Sequence, residues 1–413
     1  MTKPPFLVKK MKKEGHGRLL PIMCIIICNR RGLIALKMIF RFLRELLLVA
    51  LVATGVGAAS YYGYQWYEER QLLQSRPPLK LAVNQTSISP AWQTYINYQK
   101  QLRRLYPFIN KVSNYVPPRT WDGKDFVVPG LRTTAAYNLK TRRFERTSQM
   151  TPQGVTIADK YLLITAYDAK HRHNSVIYVL DKRTGRYLKT LQLPGRPHLG
   201  GITYDAKGHN IWVTGSLGHA SALMSLSLKT IEQYHLGERT LITYNHQIVI
   251  PSIERASAVT YYDDQLFVGF FNLQGRGKAA AYTIARRGKY RNTITNKEVK
   301  SVSGTLAWSD PNGSTSMDKQ IQGIAIYQNQ IFLSQSYGSQ SSKLYVFPIT
   351  ALNSLDERNA ELVVEMPPYL EQITAYRGQL ICVFESGAKQ YARPHMMVMD
   401  RTLSVNINAL FGS

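Results

Sequence analysis

The sequence predicts an all-β fold, a β-propeller of five to six four-stranded blades, preceded by an N-terminal transmembrane helix and a short helical stalk. Three observations support this prediction. A strand–turn–strand pattern recurs five times, each copy continues into a second pair of strands, and a charge-free apolar run precedes them all. With 413 residues, 44% of them hydrophobic, the chain can bury the cores of that many sheets.

The repeated unit is clearest in residues 151–168, TPQGVTIADKYLLITAYD, where a small residue is followed by an apolar strand, a turn and a second strand. The copies align at intervals of 47, 57, 65 and 49 residues, on Gly154, Gly201, Ala258, Gly323 and Gln372. Each copy then continues into a further strand pair, as in SVIYVLDKRTGRYLKTLQL (175–193). Four strands per repeat around one core are typical of propeller blades.

Closure of the ring would stabilise these units. A twisted four-stranded sheet has two apolar faces, and stacking blade on blade buries both while leaving only short sheet edges. The number of blades stays open between five and six. Residues 126–149 carry further strand patterns, which either complete the last blade or form most of a sixth. Because residues 369–410 already contain four strand-like runs, the sequence favours six.

Four regions are predicted along the chain. Residues 1–45 form a basic cytoplasmic head, 46–67 a transmembrane signal-anchor, 68–124 a helical stalk or linker, and 125–413 the propeller. Basic residues precede the apolar run and aromatic residues close it, which favours a single-pass anchor in the cell membrane with the propeller outside the cytoplasm. The alternative is secretion after signal cleavage near Ala59, within the small-residue run VGAAS.

Residues 1–37 are unusual for a mature protein, because their apolar run LPIMCIIIC is too short to span a bilayer. Met38 begins a conventional signal-anchor, so a start of translation at Met38 is a second hypothesis. In the stalk, Ser89-Pro90 predicts the start of a helix. Residues at three- and four-residue spacing predict one apolar face on that helix: Trp92, Ile96, Gln99, Leu102 and Tyr106. We expect this face to pack on the propeller.

The units PQGVTIADKYLLITAYD and HLGGITYDAKGHNIWVTG resemble those of secreted or membrane-anchored bacterial propellers of the six-bladed kind, the group that includes NHL, YWTD and gluconolactonase-like proteins. The resemblance covers about residues 125–410. It is specific for architecture and unspecific for activity, since these folds serve both as binding proteins and as enzymes.

The predicted ligand site is a ring of polar residues at the channel mouth. The start of each inner strand faces the channel of a propeller, so the polar residues just before the aligned small residue are the candidates: Gln153, His198, Arg255, Gln322 and Glu371. A mixed polar ring at such a mouth is the usual ligand site of the fold. The alternative is that these groups are only hydrated and bind no specific ligand.

The alternative function is a channel-mouth hydrolase or lyase. Gluconolactonase-like enzymes hold a divalent cation with Glu, Asp and Asn ligands, and this sequence offers Glu371 and His198 without recurring Asp or Asn. We therefore predict no cofactor and no metal site, with a divalent cation as the alternative that the resemblance implies. No nucleophile elbow and no phosphate-binding loop occurs in the sequence, so catalytic residues stay unassigned and binding is favoured over catalysis.

The charge of the chain suggests its partners. The net charge is +26: residues 1–45 hold eleven Lys/Arg against two Glu, and the rest holds 41 Lys/Arg against 24 Asp/Glu. A basic main domain favours polyanions or an anionic surface, although charge can also serve solubility alone. We therefore predict a binding or scaffolding module of the bacterial cell envelope. Its predicted partners are the membrane, through the N-terminal helix, and an anionic cell-wall polymer or envelope protein. No specific nucleic acid is predicted.

Overall fold

The computed structural model describes residues 30–75, 77–89, 92–113, 125–251, 255–273, 275–308 and 316–412. Most of the predicted basic head, Pro90 at the predicted helix start and the end of the predicted stalk at 114–124 lie outside the described residues. The chain divides into two units between Tyr67 and Glu68.

The N-terminal helix α1 (Arg30–Ser75) extends beyond the predicted span of 46–67 at both ends. No proline interrupts residues 30–75, whereas Pro77 and Pro78 follow and cannot continue a helix. Among the described residues, one helical segment is long and apolar enough to cross a membrane, and it is Leu33–Tyr64 of α1. Such a helix can serve as a membrane anchor or as a signal sequence.

Residues 77–113 pack on the propeller through two helices, α2 (Tyr95–Leu105) and α3 (Pro107–Ser113). The side chain of Thr94 caps α2 by accepting a hydrogen bond from the Asn97 N–H at 3.3 Å, so the helix starts later than predicted. Leu102 and Tyr98 are buried against the last blade, but Ile96 is 78% exposed. Of the predicted face, Leu102 is buried and Trp92 and Tyr106 are partly buried against the propeller, so the prediction was wrong at Ile96. The Tyr98 ring lies 4.6 Å from the guanidinium of buried Arg401, a partner that spacing alone does not indicate.

The propeller is preceded by a hairpin of β1 (Thr134–Asn138) and β2 (Arg143–Thr147). The first blade contains β3 (Met150–Ala158), β4 (Tyr161–Asp168), β5 (Val176–Asp181) and β6 (Tyr187–Gln192). The second contains β7 (Ile202–Asp205), β8 (Asn210–Leu217), β9 (Ala220–Ser227) and β10 (His246–Val249). The third contains β11 (Ala256–Tyr262), β12 (Gln265–Phe270), β13 (Gly277–Thr283) and β14 (Ser316–Met317).

The fourth blade contains β15 (Ile321–Tyr327), β16 (Gln330–Gln335) and β17 (Ser342–Pro348). The chain then forms β18 (Ser354–Leu355), which pairs in parallel with β14 of the third blade, and returns as β19 (Leu362–Met366) beside β17. The fifth blade contains β20 (Leu370–Tyr376), β21 (Gln379–Phe384) and β22 (Leu403–Asn406). The described part of the propeller also contains the α-helices α4 (Leu228–Gln233), α5 (Asn296–Trp308) and α6 (Ile407–Leu410).

The propeller has five blades, so the preference for six was wrong. The inner strands β3, β7, β11, β15 and β20 contact one another in turn, and β20 contacts β3 to close the ring. Residues 134–147 form the separate β1–β2 hairpin instead of a sixth blade, and residues 370–406 supply three strands and not four. The last blade is sealed by the start of the propeller: Val127 bridges Arg401, and the Phe126 N–H donates to Thr402 Oγ1 at 3.0 Å.

The aligned small residues let the inner strands approach closely around the narrow axis. A Cβ atom on Gly201 would lie 2.5 Å from the Val259 nitrogen, and one on Gly323 would lie 2.9 Å from the Gln372 Cα. Both distances are shorter than Cβ contacts that occur in proteins. The Gly and Ala residues that revealed the repeat are therefore required by the packing of five inner strands.

Gln372, the one large residue at the aligned position, closes the axis. Its Oε1 accepts hydrogen bonds from the Val155 N–H at 3.1 Å and the Ile202 N–H at 2.8 Å. Its Nε2 donates to the carbonyl oxygens of Ile202 at 2.7 Å and Val259 at 3.0 Å. One buried side chain of the fifth blade thus connects the first three blades, and it separates the axis into two mouths.

Candidate functional site

Four of the five predicted site residues line one cavity of about 250 Å³ at the mouth where the inner strands begin. We call it the entry cavity. These four are Gln153, His198, Arg255 and Gln322. Its other lining residues include Ser216 of β8 and Phe271, which follows β12. Glu371 is buried and does not line the entry cavity.

Recurrent β-bulges position several of these residues. In four blades the pairing of the first two strands shifts register near the start of the inner strand. The shift lies between Pro152 and Val155 in the first blade and between Ile321 and Gly323 in the fourth. A bulge leaves a residue unpaired and turns its side chain away from the regular alternation of the strand. Gln153 and Gln322 lie within such bulges and face the axis. The sequence pattern predicted their position but not this cause.

Arg255 supplies the positive charge of the entry cavity. The Arg255 guanidinium lies 5.5 Å from the centre of the Phe271 ring and is exposed to solvent. Within the described ranges, which omit 252–254, the Arg255 side chain has no hydrogen-bond or ion-pair partner. No carboxylate of the described chain lines this cavity. The cavity is therefore electrostatically suited to an anionic group.

His198 is a neutral neighbour of that cation. Its imidazole ring lies 4.2 Å, centre to centre, from the ring of Tyr167. The side chain of His198 is exposed to the cavity, and the walls of the cavity surround it. This enclosure, together with the positive charge of Arg255, lowers the pKa of His198 below its ordinary value. The imidazole therefore serves near pH 7 as a neutral hydrogen-bonding group, a donor at one nitrogen and an acceptor at the other.

Gln153 links the entry cavity to a buried acid pair. The Gln153 Nε2 donates to the Pro152 carbonyl oxygen at 2.8 Å and to Glu385 Oε1 at 2.5 Å, whereas its buried Oε1 has no partner among the described groups. Glu385 and Glu371 are buried neighbours, and burial together with their mutual repulsion favours a form of the pair that holds a proton. Burial raises the pKa of Glu385 to about 8, and burial together with the charge of Glu385 raises the pKa of Glu371 well above its ordinary value.

Two tyrosines complete this buried cluster. Burial, followed by the charge of Glu385, raises the pKa of the phenols of Tyr167 and Tyr391, that of Tyr167 to about 12. The ring of Tyr391 also packs on the ring of Tyr369 at 4.8 Å. Both phenols therefore stay protonated and act as hydrogen-bonding groups.

The sequence reasoning identified Glu371 but missed its partner Glu385. It considered only the starts of the inner strands. In an antiparallel hairpin the end of the second strand lies at the same mouth, and Glu385 directly follows β21. The run ICVFES, an apolar strand that ends in a carboxylate, could have indicated Glu385.

The structure does not fit the divalent cation that the gluconolactonase resemblance implies. Within the described ranges, no three His, Cys, Asp or Glu side chains are grouped as metal ligands. The nearby carboxyls Glu371 and Glu385 share a proton, and the free cation of the entry cavity, Arg255, would repel a metal ion.

No protein-family model matches the chain, and no curated protein matches it. Among solved structures, it is similar to a chain of a nidogen–laminin complex, with 13% identity, a TM-score of 0.33, and coverage of 61% of this chain and 84% of the other. It is similar to Kuenenia stuttgartiensis hydrazine synthase, with 10% identity, a TM-score of 0.31, and coverage of 58% and 56%. It is also similar to the Dos1 propeller, with 11% identity, a TM-score of 0.32, and coverage of 66% and 62%. At such low identity these likenesses concern fold alone.

Proposed function

We propose that the protein is a membrane-anchored, extracytoplasmic binding module of the bacterial cell envelope, whose entry cavity takes an anionic group of an envelope polymer. The observation that carries this proposal is Arg255, a cation without a described protein partner in a cavity otherwise lined by neutral groups. A guanidinium offers several N–H donors in a planar array that suits carboxylate and phosphate oxygens.

The size of the entry cavity favours one unit of a polymer. Its volume of about 250 Å³ is below the range of about 300–1,000 Å³ that is usual for pockets enclosing a whole small ligand. Ser216, Gln322 and His198 offer hydrogen-bonding groups around the cation, as recognition of a polar unit requires. The excess of Lys and Arg outside residues 1–45 would raise the local concentration of a polyanion.

The proposed location rests on the N-terminal helix. An apolar helix over Leu33–Tyr64, with basic residues before the apolar run and aromatic residues after it, supports a retained anchor with the propeller on the outer side. A propeller held at the membrane surface would meet envelope polymers without diffusing away from them. An envelope protein that presents an acidic side chain is the alternative partner.

Replacing Arg255 by glutamine should weaken polyanion binding about 10- to 100-fold, because a hydrogen bond to a charged group contributes about 1.5–3 kcal/mol. The measurement is the affinity of the full chain in lipid nanodiscs for polygalacturonate, a carboxylate polymer, and for polyphosphate. Arg287→Gln is the matched control, since it removes the same charge from an exposed position outside the entry cavity. Equal losses in both variants, or no binding of either polymer by the unmodified chain, would contradict the proposal.

The second candidate function is a hydrolase or lyase of the same polymer class. It is favoured by one observation, the proton-sharing pair of Glu371 and Glu385 that Gln153 connects to the entry cavity. A carboxyl that stays protonated near pH 7 suits general acid catalysis. Glu385 is only 7% exposed, so a substrate reaches it only if neighbouring side chains such as that of Gln153 move. Turnover of polygalacturonate that disappears in Glu385→Gln while binding persists would support this candidate.

A further inference from the structure

A second cavity, of about 370 Å³, lies at the opposite mouth of the propeller. We call it the exit cavity. Four of the residues that line it are threonines standing two positions after the aligned residues of their blades: Thr156, Thr203, Thr260 and Thr374. The fourth blade has Ala325 at this position. The repeat that defines the fold therefore also builds a ring of hydroxyl groups.

The exit cavity and the entry cavity are separate. No residue lines both of them. Gln372 lies between them, because its amide binds the backbone of Val155, Ile202 and Val259, one position after the aligned residues. A ligand in the exit cavity would therefore be independent of one beside Arg255.

Most of the threonine hydroxyls are available to a ligand. Thr203 Oγ1 accepts a hydrogen bond from the Tyr261 N–H at 2.9 Å. In the described part of the chain, the hydroxyls of Thr156, Thr260 and Thr374 have no hydrogen-bond partner, and they are not enclosed away from the cavity. Each hydroxyl is both a donor and an acceptor, which matches a ligand that is itself rich in hydroxyls.

Aromatic rings stand beside this hydroxyl ring. Tyr204, Tyr261 and Tyr376 line the exit cavity. The Lys182 Nζ donates to the Tyr376 hydroxyl at 2.9 Å, so this cation is bound to its neighbour. The remaining charged lining residues, Asp159 and Arg377, are of opposite sign. Cations already lie beside the rings of Tyr376 and Tyr261, so Tyr204 offers the ring face that is open to a ligand. Asp159 offsets one of the two cations of this cavity, whereas Arg255 of the entry cavity has no counter-charge in its described lining.

We propose that the exit cavity binds a neutral saccharide unit. A sugar presents hydroxyls at its edges, which the threonines can bind, and C–H groups on its faces, which can pack on tyrosine rings. The volume lies within the usual range for small-ligand pockets, about 300–1,000 Å³. The propeller would then hold two different parts of an envelope glycan, or two glycans, at its two mouths.

The test compares binding of glucose, N-acetylglucosamine and glucuronate to the full chain in nanodiscs by saturation-transfer NMR and calorimetry. The variant Thr156→Val with Thr260→Val removes two hydroxyls at nearly constant shape. We expect neutral sugars to bind the unmodified chain and to lose at least about tenfold in affinity in this variant, since two hydrogen bonds are lost at about 1 kcal/mol each. Tyr204→Leu, at a partly exposed position, is a second variant that should weaken binding similarly if the double variant folds poorly.

Two controls separate this proposal from the entry cavity. Thr350→Val removes a hydroxyl at an exposed position outside both cavities and should leave sugar affinity unchanged. Arg255→Gln should also leave the affinity for the two neutral sugars, glucose and N-acetylglucosamine, unchanged. Absence of sugar binding by the unmodified chain would overturn the proposal. So would retention of affinity in both exit-cavity variants, or binding of glucuronate alone in a manner that depends on Arg255.

Discussion

Replacing Gln372 by alanine should lower the free energy of unfolding by about 4 kcal/mol. Gln372 makes four hydrogen bonds to the backbone of three blades. In Gln372→Ala these peptide groups lose their partners inside the ring, and a buried polar group without a partner costs about 1–3 kcal/mol. Water that enters the space left by the side chain would replace part of these bonds, which is why the expected loss is below their sum.

Chemical denaturation of the full chain in detergent, followed by tryptophan fluorescence and by circular dichroism, measures this effect. Gln322→Ala is the matched control, because Gln322 is also on an inner strand but its side chain makes no hydrogen bond across the axis to a described residue. We expect that control to change the free energy of unfolding by less than about 1 kcal/mol. Similar stability of the two variants would show that Gln372 does not hold the ring together.

The second large effect is a dependence of stability on pH that comes from Glu371 and Glu385. The pKa of Glu385 is raised from 4.5 to about 8 on folding, and that of Glu371 is raised in the same direction. The folded protein therefore binds these protons more tightly than the unfolded chain. The stability contributed by the pair is fully present below about pH 4.5 and is lost as the pH rises through 8.

Between pH 6.5 and 9 we expect the free energy of unfolding to fall by about 2 kcal/mol, since one pKa unit corresponds to about 1.4 kcal/mol. Glu385→Gln should flatten this profile, because the amide keeps the shape of the side chain without a titrating proton. Glu371→Gln should do the same, because the two carboxyls titrate together.

Other titratable groups also contribute to the pH dependence of the free energy of unfolding. Their contribution is the same in the wild type and in the variants, so it does not affect the difference between them. Burial raises the pKa of Asp125 to about 6, so its contribution also falls with rising pH, mostly below this window. His198 has a lowered pKa, so its contribution rises with pH at more acidic values. Glu365→Gln, at an exposed position, is the control. A profile of Glu385→Gln that runs parallel to the wild type from pH 6.5 to 9 would refute the proton-sharing pair.

The sequence predicts most of the fold because each blade repeats the same pattern of apolar, turn and small residues. Alternating apolar residues around a turn specify each hairpin, and the small residues Gly154, Gly201, Ala258 and Gly323 mark where inner strands crowd together. The number of blades was harder to predict, because it depends on the pairing of residues 126–128 with residues 400–402 across nearly the whole propeller. Such long-range closure leaves no local pattern.

The candidate site was predictable in position and only partly in chemistry. Counting residues before the aligned position identified four residues that share the entry cavity. It could not show that Glu371 turns away to pair with Glu385, because that pairing depends on burial in the finished sheet. Among the departures from the repeat, Gln372 was the most informative about the structure of the propeller axis. A large amide where four blades have Gly or Ala indicates a side chain that fills the axis.

Arginine labelling tests most directly whether the anion binds at Arg255. The full chain in nanodiscs is treated with phenylglyoxal, with and without saturating polygalacturonate or polyphosphate, and modified peptides are quantified by mass spectrometry. If the entry cavity takes the anionic group, at least one polymer will protect Arg255 strongly while exposed Arg287 and Arg291 stay reactive. Equal protection of all three arginines, or protection of the exposed pair alone, would contradict an anion site in the entry cavity.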